Sequence, residues 1–123
     1  MNALIAARGY HDAWVSGRFE DAGQYLDEHV LIEVPVNSYD GRDSFMRAVA
    51  GFGQIASNVT LLAELGNEDD AVLIYDMTVP GLGRLRVAEH FTITSGRIGR
   101  LRQVHDTAGL RAAGVVASDA PVN

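Results

Sequence analysis

The sequence predicts an α+β domain in which a curved antiparallel, or mixed, β-sheet packs on three N-terminal helices and leaves a cavity between the layers. Three observations predict it. Up to about Ile55 most apolar residues recur at helical spacing, interrupted by one short alternating run. From Asn58 to Asp106 the pattern changes to four consecutive alternating runs separated by turns of hairpin length. In two of those runs an acid stands in phase with apolar neighbours, so a carboxylate is expected to face the cavity.

The first helix is expected from about Asn2 to Ser16, because Leu4, Ala7, Tyr10 and Trp14 recur at helical spacing and Gly17 supplies a stop. A second runs from about Phe19 to Leu26, with Phe19, Ala22, Tyr25 and Leu26 as its buried stripe. Val30 to Val36 alternates, with Val30, Ile32, Val34 and Val36 inward and Glu33 outward. Pro35 confines that strand to an edge or places it at the strand's end. A turn over Asn37 to Gly41 leads to a third helix, about Asp43 to Ile55, with Phe45, Met46, Val49 and Phe52 at helical spacing. Asp40 or Asp43 could cap it.

Four strands follow, at about Asn58 to Gly66, Ala71 to Val79, Arg84 to Thr94 and Arg97 to His105. Their connections, Asn67-Glu68-Asp69-Asp70, Pro80-Gly81-Leu82-Gly83 and Ser95-Gly96, are turn residues, so the strands should form an antiparallel meander. The folded domain is expected to span residues 1–113. The small, weakly patterned residues 114–123 read as a flexible tail.

Composition narrows the function. The chain has 123 residues, enough for one domain with a sizeable core, and carries a net charge of −6. That charge argues against nucleic-acid binding. There is no cysteine, so disulfides, thiolate metal sites and cysteine nucleophiles are excluded. All ten basic residues are arginine, which excludes a lysine Schiff base and suggests a GC-rich bacterial genome. No long apolar run or signal-peptide layout is present, so no membrane association is expected and the cytoplasm is the simplest address. Histidines at ligand spacing are missing; neither a metal nor a cofactor is expected.

The candidate site comes from strand phase. Asp76 shares the phase of Val72 and Ile74, and Glu89 that of Leu85, Val87, Phe91 and Ile93. Gln103 and His105 share the phase of Leu101 on the last strand, and hairpin counting brings Gln103 beside Glu89. Tyr10 and Trp14, one helical turn apart, would point into the same space. The candidate catalytic set is therefore Asp76, Glu89, Tyr10, His105 and Gln103. Trp14, Val34, Phe52, Ile74, Val87, Phe91 and Leu101 are the candidate pocket lining. Two carboxylates in an apolar pocket would raise at least one pKa, leaving an acid to donate and a base to accept. A one-residue error in phase would instead set Asp76 against an outer arginine, and Glu89 could pair with Arg86 or Arg102. His11, His29 and His90 read as surface or interface residues.

The opposite face of the sheet mixes Arg84, Arg86, His90, Arg100 and Arg102 with Leu62, Glu64, Leu73, Tyr75 and Met77. Such a mixture suits a protein interface, and a homodimer through this convex face is expected.

Several short motifs, in order, carry a resemblance: Tyr10-(x)6-Gly17, Val34-Pro35, Gly41-Arg42-Asp43, Glu89-His90-Phe91, and Gly96-Arg97-Ile98 through His105-Asp106-(x)3-Leu110. From about Leu4 to Gly114 the chain resembles the nuclear transport factor two-like superfamily. The likeness is to its SnoaL-like polyketide cyclase, ketosteroid isomerase and limonene-epoxide hydrolase branch. The resemblance implies a cone-shaped, cystatin-like α+β barrel. It also implies Tyr10 and Glu89 as counterparts of two steroid-isomerase residues, with Val34 where the base would stand. Asp76-Met77-Thr78 and Gln103 depart from the epoxide-hydrolase set, and Gln103 stands where cyclases place an acid. The expected function is acid–base isomerisation, cyclisation or hydrolysis of a small apolar, oxygen-bearing molecule. The alternative is a non-catalytic module that binds a lipophilic ligand or only dimerises.

Overall fold

A computed structural model describes residues 2–112. Its order is α1 (Ala3–Val15), α2 (Phe19–Gly23), β1 (Leu26–Glu33), α3 (Arg42–Gly53), β2 (Ser57–Gly66), β3 (Asp70–Val79), β4 (Gly83–Thr94), β5 (Arg97–Val104) and α4 (Ala108–Ala112). Three helices pack on one five-stranded sheet of order β1-β5-β4-β3-β2. The meander β2 to β5 is antiparallel, and β1 joins β5 in parallel. The sheet is mixed and open, with β1 and β2 as its edges, so the expected barrel does not close.

Local chemistry accounts for most boundaries. Asn2 caps α1 by accepting the Leu4 N–H at 2.8 Å. The expected aspartate cap on α3 is not made. Gly41 occupies the N-cap with φ 88°, and Ser44 Oγ accepts the Asp40 N–H at 2.9 Å. α2 ends three residues earlier than helical spacing suggests, and β1 starts four residues earlier than its alternation does. The cause is long-range: Tyr25 O accepts the Ile98 N–H at 2.9 Å and Leu26 pairs with Ile98, which pulls this stretch into the sheet. Pro35, without an N–H to donate, falls just past the end of β1. Ser95 and Gly96 both have positive φ, the requirement of a two-residue hairpin turn whose twist matches the strands. The short α4, which the sequence pattern does not announce, starts where Asp106 Oδ1 accepts the Ala108 N–H at 3.0 Å. The expected tail, 114–123, lies outside the described residues.

The core lies between α1 and the inner face of β3, β4 and β5, with Leu73, Val87, Phe91, Ile98 and Leu101 fully buried. On β4 the inward phase is Leu85, Val87, Glu89 and Phe91, as alternation predicts. On β3 the phase is opposite to the one expected. Ala71, Leu73, Tyr75, Met77 and Val79 point inward, so Ile74 and Asp76 face outward. A five-residue apolar row outweighs the two-residue row Val72 and Ile74, because burying Asp76 in place of Tyr75 would cost both desolvation and apolar contact. Leu73, Tyr75 and Met77 therefore leave the outer face. So does Glu64: a register shift after Leu61 turns it toward α1, where it accepts from Arg8 at 2.8 Å. Among the described residues no helix is long and apolar enough to cross a membrane.

Candidate functional site

Between the sheet and α3 lies a cleft of about 370 Å³. α1 contributes Tyr10 and Trp14, and α3 contributes Phe45, Val49 and Phe52. The segment after β1 contributes Val34, Val36 and Tyr39, and the sheet contributes Tyr75, Met77, Leu85 and Val87. Glu89, Gln103 and His105 complete the wall. Of the expected lining, Trp14, Val34, Phe52 and Val87 are in place. Phe91 and Leu101 are buried below the cleft in the core, where Phe91 meets Tyr10 edge-on at 5.9 Å. Ile74 is on the other face.

Glu89 is the chemical centre. It is 1% exposed, and β4–β5 pairing sets it directly opposite Gln103. Gln103 Nε2 donates to Glu89 Oε2 at 2.7 Å, while Oε1 has no hydrogen-bond partner among the described residues. Burial lifts the carboxyl pKa to about 7, although the Gln103 amide and the Tyr75 phenol both favour the anion. Tyr75 sits close enough to act on that charge without completing a hydrogen bond to Oε1. Tyr10 and Tyr75 are themselves 1% and 2% exposed. Burial first, and the Glu89 charge second, hold both phenols well above the usual tyrosine range. Two neutral O–H groups thus flank one carboxyl of intermediate acidity.

His105 is half-buried at the end of β5 and lines the same cleft. Its Nδ1 lies 3.1 Å from the Asp106 carbonyl oxygen. A carbonyl only accepts, so Nδ1 carries the proton and Nε2 is the basic nitrogen of the neutral ring.

Asp76 does not join this group. It sits opposite Arg86, which donates to it through Nε at 2.7 Å and Nη2 at 2.9 Å. That hydrogen-bonded pair holds the Asp76 carboxyl below the usual carboxylate range. The predicted pair of facing carboxylates is thus replaced by a single acid between two tyrosines. Tyr75, on the face opposite to expectation, is the group that phase reading missed. The longer apolar row of β3 was the signal that could have found it.

His11 is also a correction. It is 4% exposed, not a surface residue, with its ring 4.9 Å from Tyr75 and 5.5 Å from Trp14. It supports these two cleft residues without lining the cleft itself. His29 is exposed, and His90 lies on the outer face 2.8 Å from Asp70. Among the described residues no cluster of histidine and acid side chains is arranged to hold a metal ion.

Solved structures of the same fold are numerous. A protein from Kribbella flavida is 28% identical, with 91% of this chain and 93% of that one covered and a TM-score of 0.84. An NTF2-like protein from Cytophaga hutchinsonii is 18% identical, covering 86% and 91% of the two chains at a TM-score of 0.76. A steroid delta-isomerase from Pseudomonas aeruginosa is 16% identical, covering 92% and 86% at a TM-score of 0.76. No curated protein matches the sequence. The SnoaL-like domain model matches residues 7–101, from the middle of α1 through Leu101 of β5, and so includes Glu89 and most of the cleft wall but stops short of Gln103 and His105. This chain belongs to the SnoaL-like domain family, within the NTF2-like fold.

Proposed function

We propose that the cleft binds a small, mostly apolar molecule bearing an oxygen, and that Glu89 exchanges a proton with it in a cofactor-independent isomerisation, cyclisation or hydration. The observation that carries this reading is a nearly water-free carboxyl, pKa about 7, at the floor of an apolar cleft with one oxygen unpartnered. A group of that acidity is well matched to proton transfer near neutrality. Because Gln103 requires Oε2 as acceptor, the proton of neutral Glu89 belongs on Oε1. Tyr10 and Tyr75 supply O–H donors for oxygen charge that develops in the reaction. His105 Nε2 is the accepting base, since Asp76, the other candidate for that role, faces away from the cleft. The Pseudomonas isomerase supports this class at the level of fold only. Val34, where the resemblance sets the steroid-isomerase base, points to another substrate.

The test is proton exchange. A panel of neutral ketones would be incubated in deuterated buffer with the protein and with Glu89→Gln. The expected result is protein-dependent exchange that falls by roughly 10²–10⁴ in the variant while ligand affinity is retained. Ligands that bind without exchanging in either protein would instead support the non-catalytic binding module.

We also propose that a second copy of the chain covers the outer sheet face. Three of its arginines are already paired internally, Arg86 with Asp76 and Arg100 and Arg102 with Glu33, while Leu31 and Val104 stand exposed. Paired charges cost less to cover than free ones. Sedimentation should show a dimer that Val104→Arg weakens; a monomer at high protein concentration would overturn this.

A further inference from the structure

The cleft wall carries one acid and, among the described residues, no arginine; the chain has no lysine to add. Its carboxyl hangs on a single neutral donor, the Gln103 amide, and Oε1 has none. An anionic ligand would find no arginine or lysine to receive it and would meet an acid whose charge is met only by neutral donors. In a low-dielectric site such repulsion is large. Much of the rest of the wall is aromatic, with the rings of Tyr10, Trp14, Tyr39, Phe45, Phe52 and Tyr75. Aromatic faces attract cations and accept apolar groups, and they offer anions nothing. The chain's net charge of −6 biases approach in the same sense.

We infer that the cleft sorts ligands by charge, admitting neutral alcohols and ketones and the corresponding ammonium compounds while turning away carboxylates, phosphates and sulfonates, with Glu89 as the residue that sets the rule. This rests on the cleft being the ligand site. It narrows the substrate class: an organic acid would enter only as its ester or amide, and a substrate carried on a phosphate-bearing handle would have to leave the handle outside. The groups facing Glu89 are Tyr10 from α1, Tyr75 from β3, and Gln103 with nearby His105 from β5 and its end. Both phenols stay neutral, so among these groups His105 is the one whose side chain could carry a positive charge opposing the filter.

The experiment uses three probes on one skeleton: naphthylmethanol, naphthylmethylamine as its ammonium ion, and naphthoate. Binding is read from the indole N–H resonance of Trp14, which is the chain's one tryptophan and lines the cleft. At about pH 8.5, above the Glu89 midpoint of about 7, the amine and the alcohol should bind and naphthoate should be at least about tenfold weaker than the alcohol. At about pH 5.5 that gap should narrow. Glu89→Gln should bring naphthoate within about threefold of the alcohol at both pH values and should weaken the amine. Naphthoate binding the wild type as tightly as naphthylmethanol at the higher pH, or an unchanged gap in Glu89→Gln, would overturn the filter while leaving the cleft as a ligand site. If no probe moves the Trp14 resonance, the cleft reading falls and takes the filter with it. Should Glu89→Gln not fold, the wild-type comparison across pH decides alone.

Discussion

Gln103 and Glu89 face each other across the β4–β5 ladder, and the amide of one holds a single oxygen of the other at 2.7 Å. The bond leaves the second oxygen unpartnered, so it sets where the proton of Glu89 resides as well as how readily it leaves. Replacing Gln103 by Leu removes a donor that favours the anion. The Glu89 midpoint should then rise above 7 by about one to two units, the worth of one hydrogen bond to a charged group. The carboxyl stretching band in infrared titration would show it, and a midpoint that stayed or fell would contradict the assignment.

Glu89 also makes the fold sensitive to alkali. Its folded pKa, about 7, lies above the unfolded value of about 4.3. The folded state therefore binds the extra proton between these values, and stability falls as pH rises through that window. The loss should reach about 3.5–4 kcal/mol once the carboxyl is ionised. Glu89→Gln should be more stable than wild type above pH 7 in urea unfolding, with a flatter dependence on pH.

His11 acts in the opposite direction. Burial lowers its pKa, with nearby Arg8 adding to the effect and Asp12 and Glu64 opposing it, and its Nδ1 has no partner among the described residues. An unfolded histidine protonates near 6.5. The unfolded state therefore gains a proton first, and stability is lost as pH falls below that value. His11→Phe should remove this acid-side loss while keeping the ring contact with Tyr75 and Trp14. Unfolding curves at a series of pH values would check both the sign and the window.

Asp76 should be dispensable for the cleft. Its carboxylate is taken by Arg86 on the other face of the sheet. Asp76→Asn is expected to leave ligand binding and proton exchange unchanged. A loss of activity comparable to that of Glu89→Gln would return Asp76 to the reactive group.

Gly9 lies within α1, where alanine would ordinarily stabilise a helix by about 1 kcal/mol. Here an added Cβ would overlap the ring of Tyr25. Gly9→Ala should therefore destabilise the protein, by about 1–2 kcal/mol, as the ring is displaced. Thermal or urea unfolding gives the sign directly, and a gain in stability would show that Tyr25 moves freely.

Much of this architecture was legible in one dimension. Helical spacing, hairpin-length turns and alternation fixed the order of the main elements, and β4 could be phased because Leu85, Val87 and Phe91 surround Glu89 on one side only. Its partner followed from counting across Ser95-Gly96. β3 could not be phased from its start, because its outer face opens with Val72 and Ile74 and so is apolar on both sides. Only packing against α1 chose between them, and it chose the row holding Tyr75 because a phenol beside Glu89 is cheaper to bury than Asp76. The early start of β1, the turning of Glu64 toward Arg8 and the burial of His11 have the same origin. Periodicity records how a segment divides its own faces, so it determined the elements and one buried acid. Which face meets which neighbour depends on residues distant in the chain, and that contest between apolar contact and desolvation is decided only in the folded molecule.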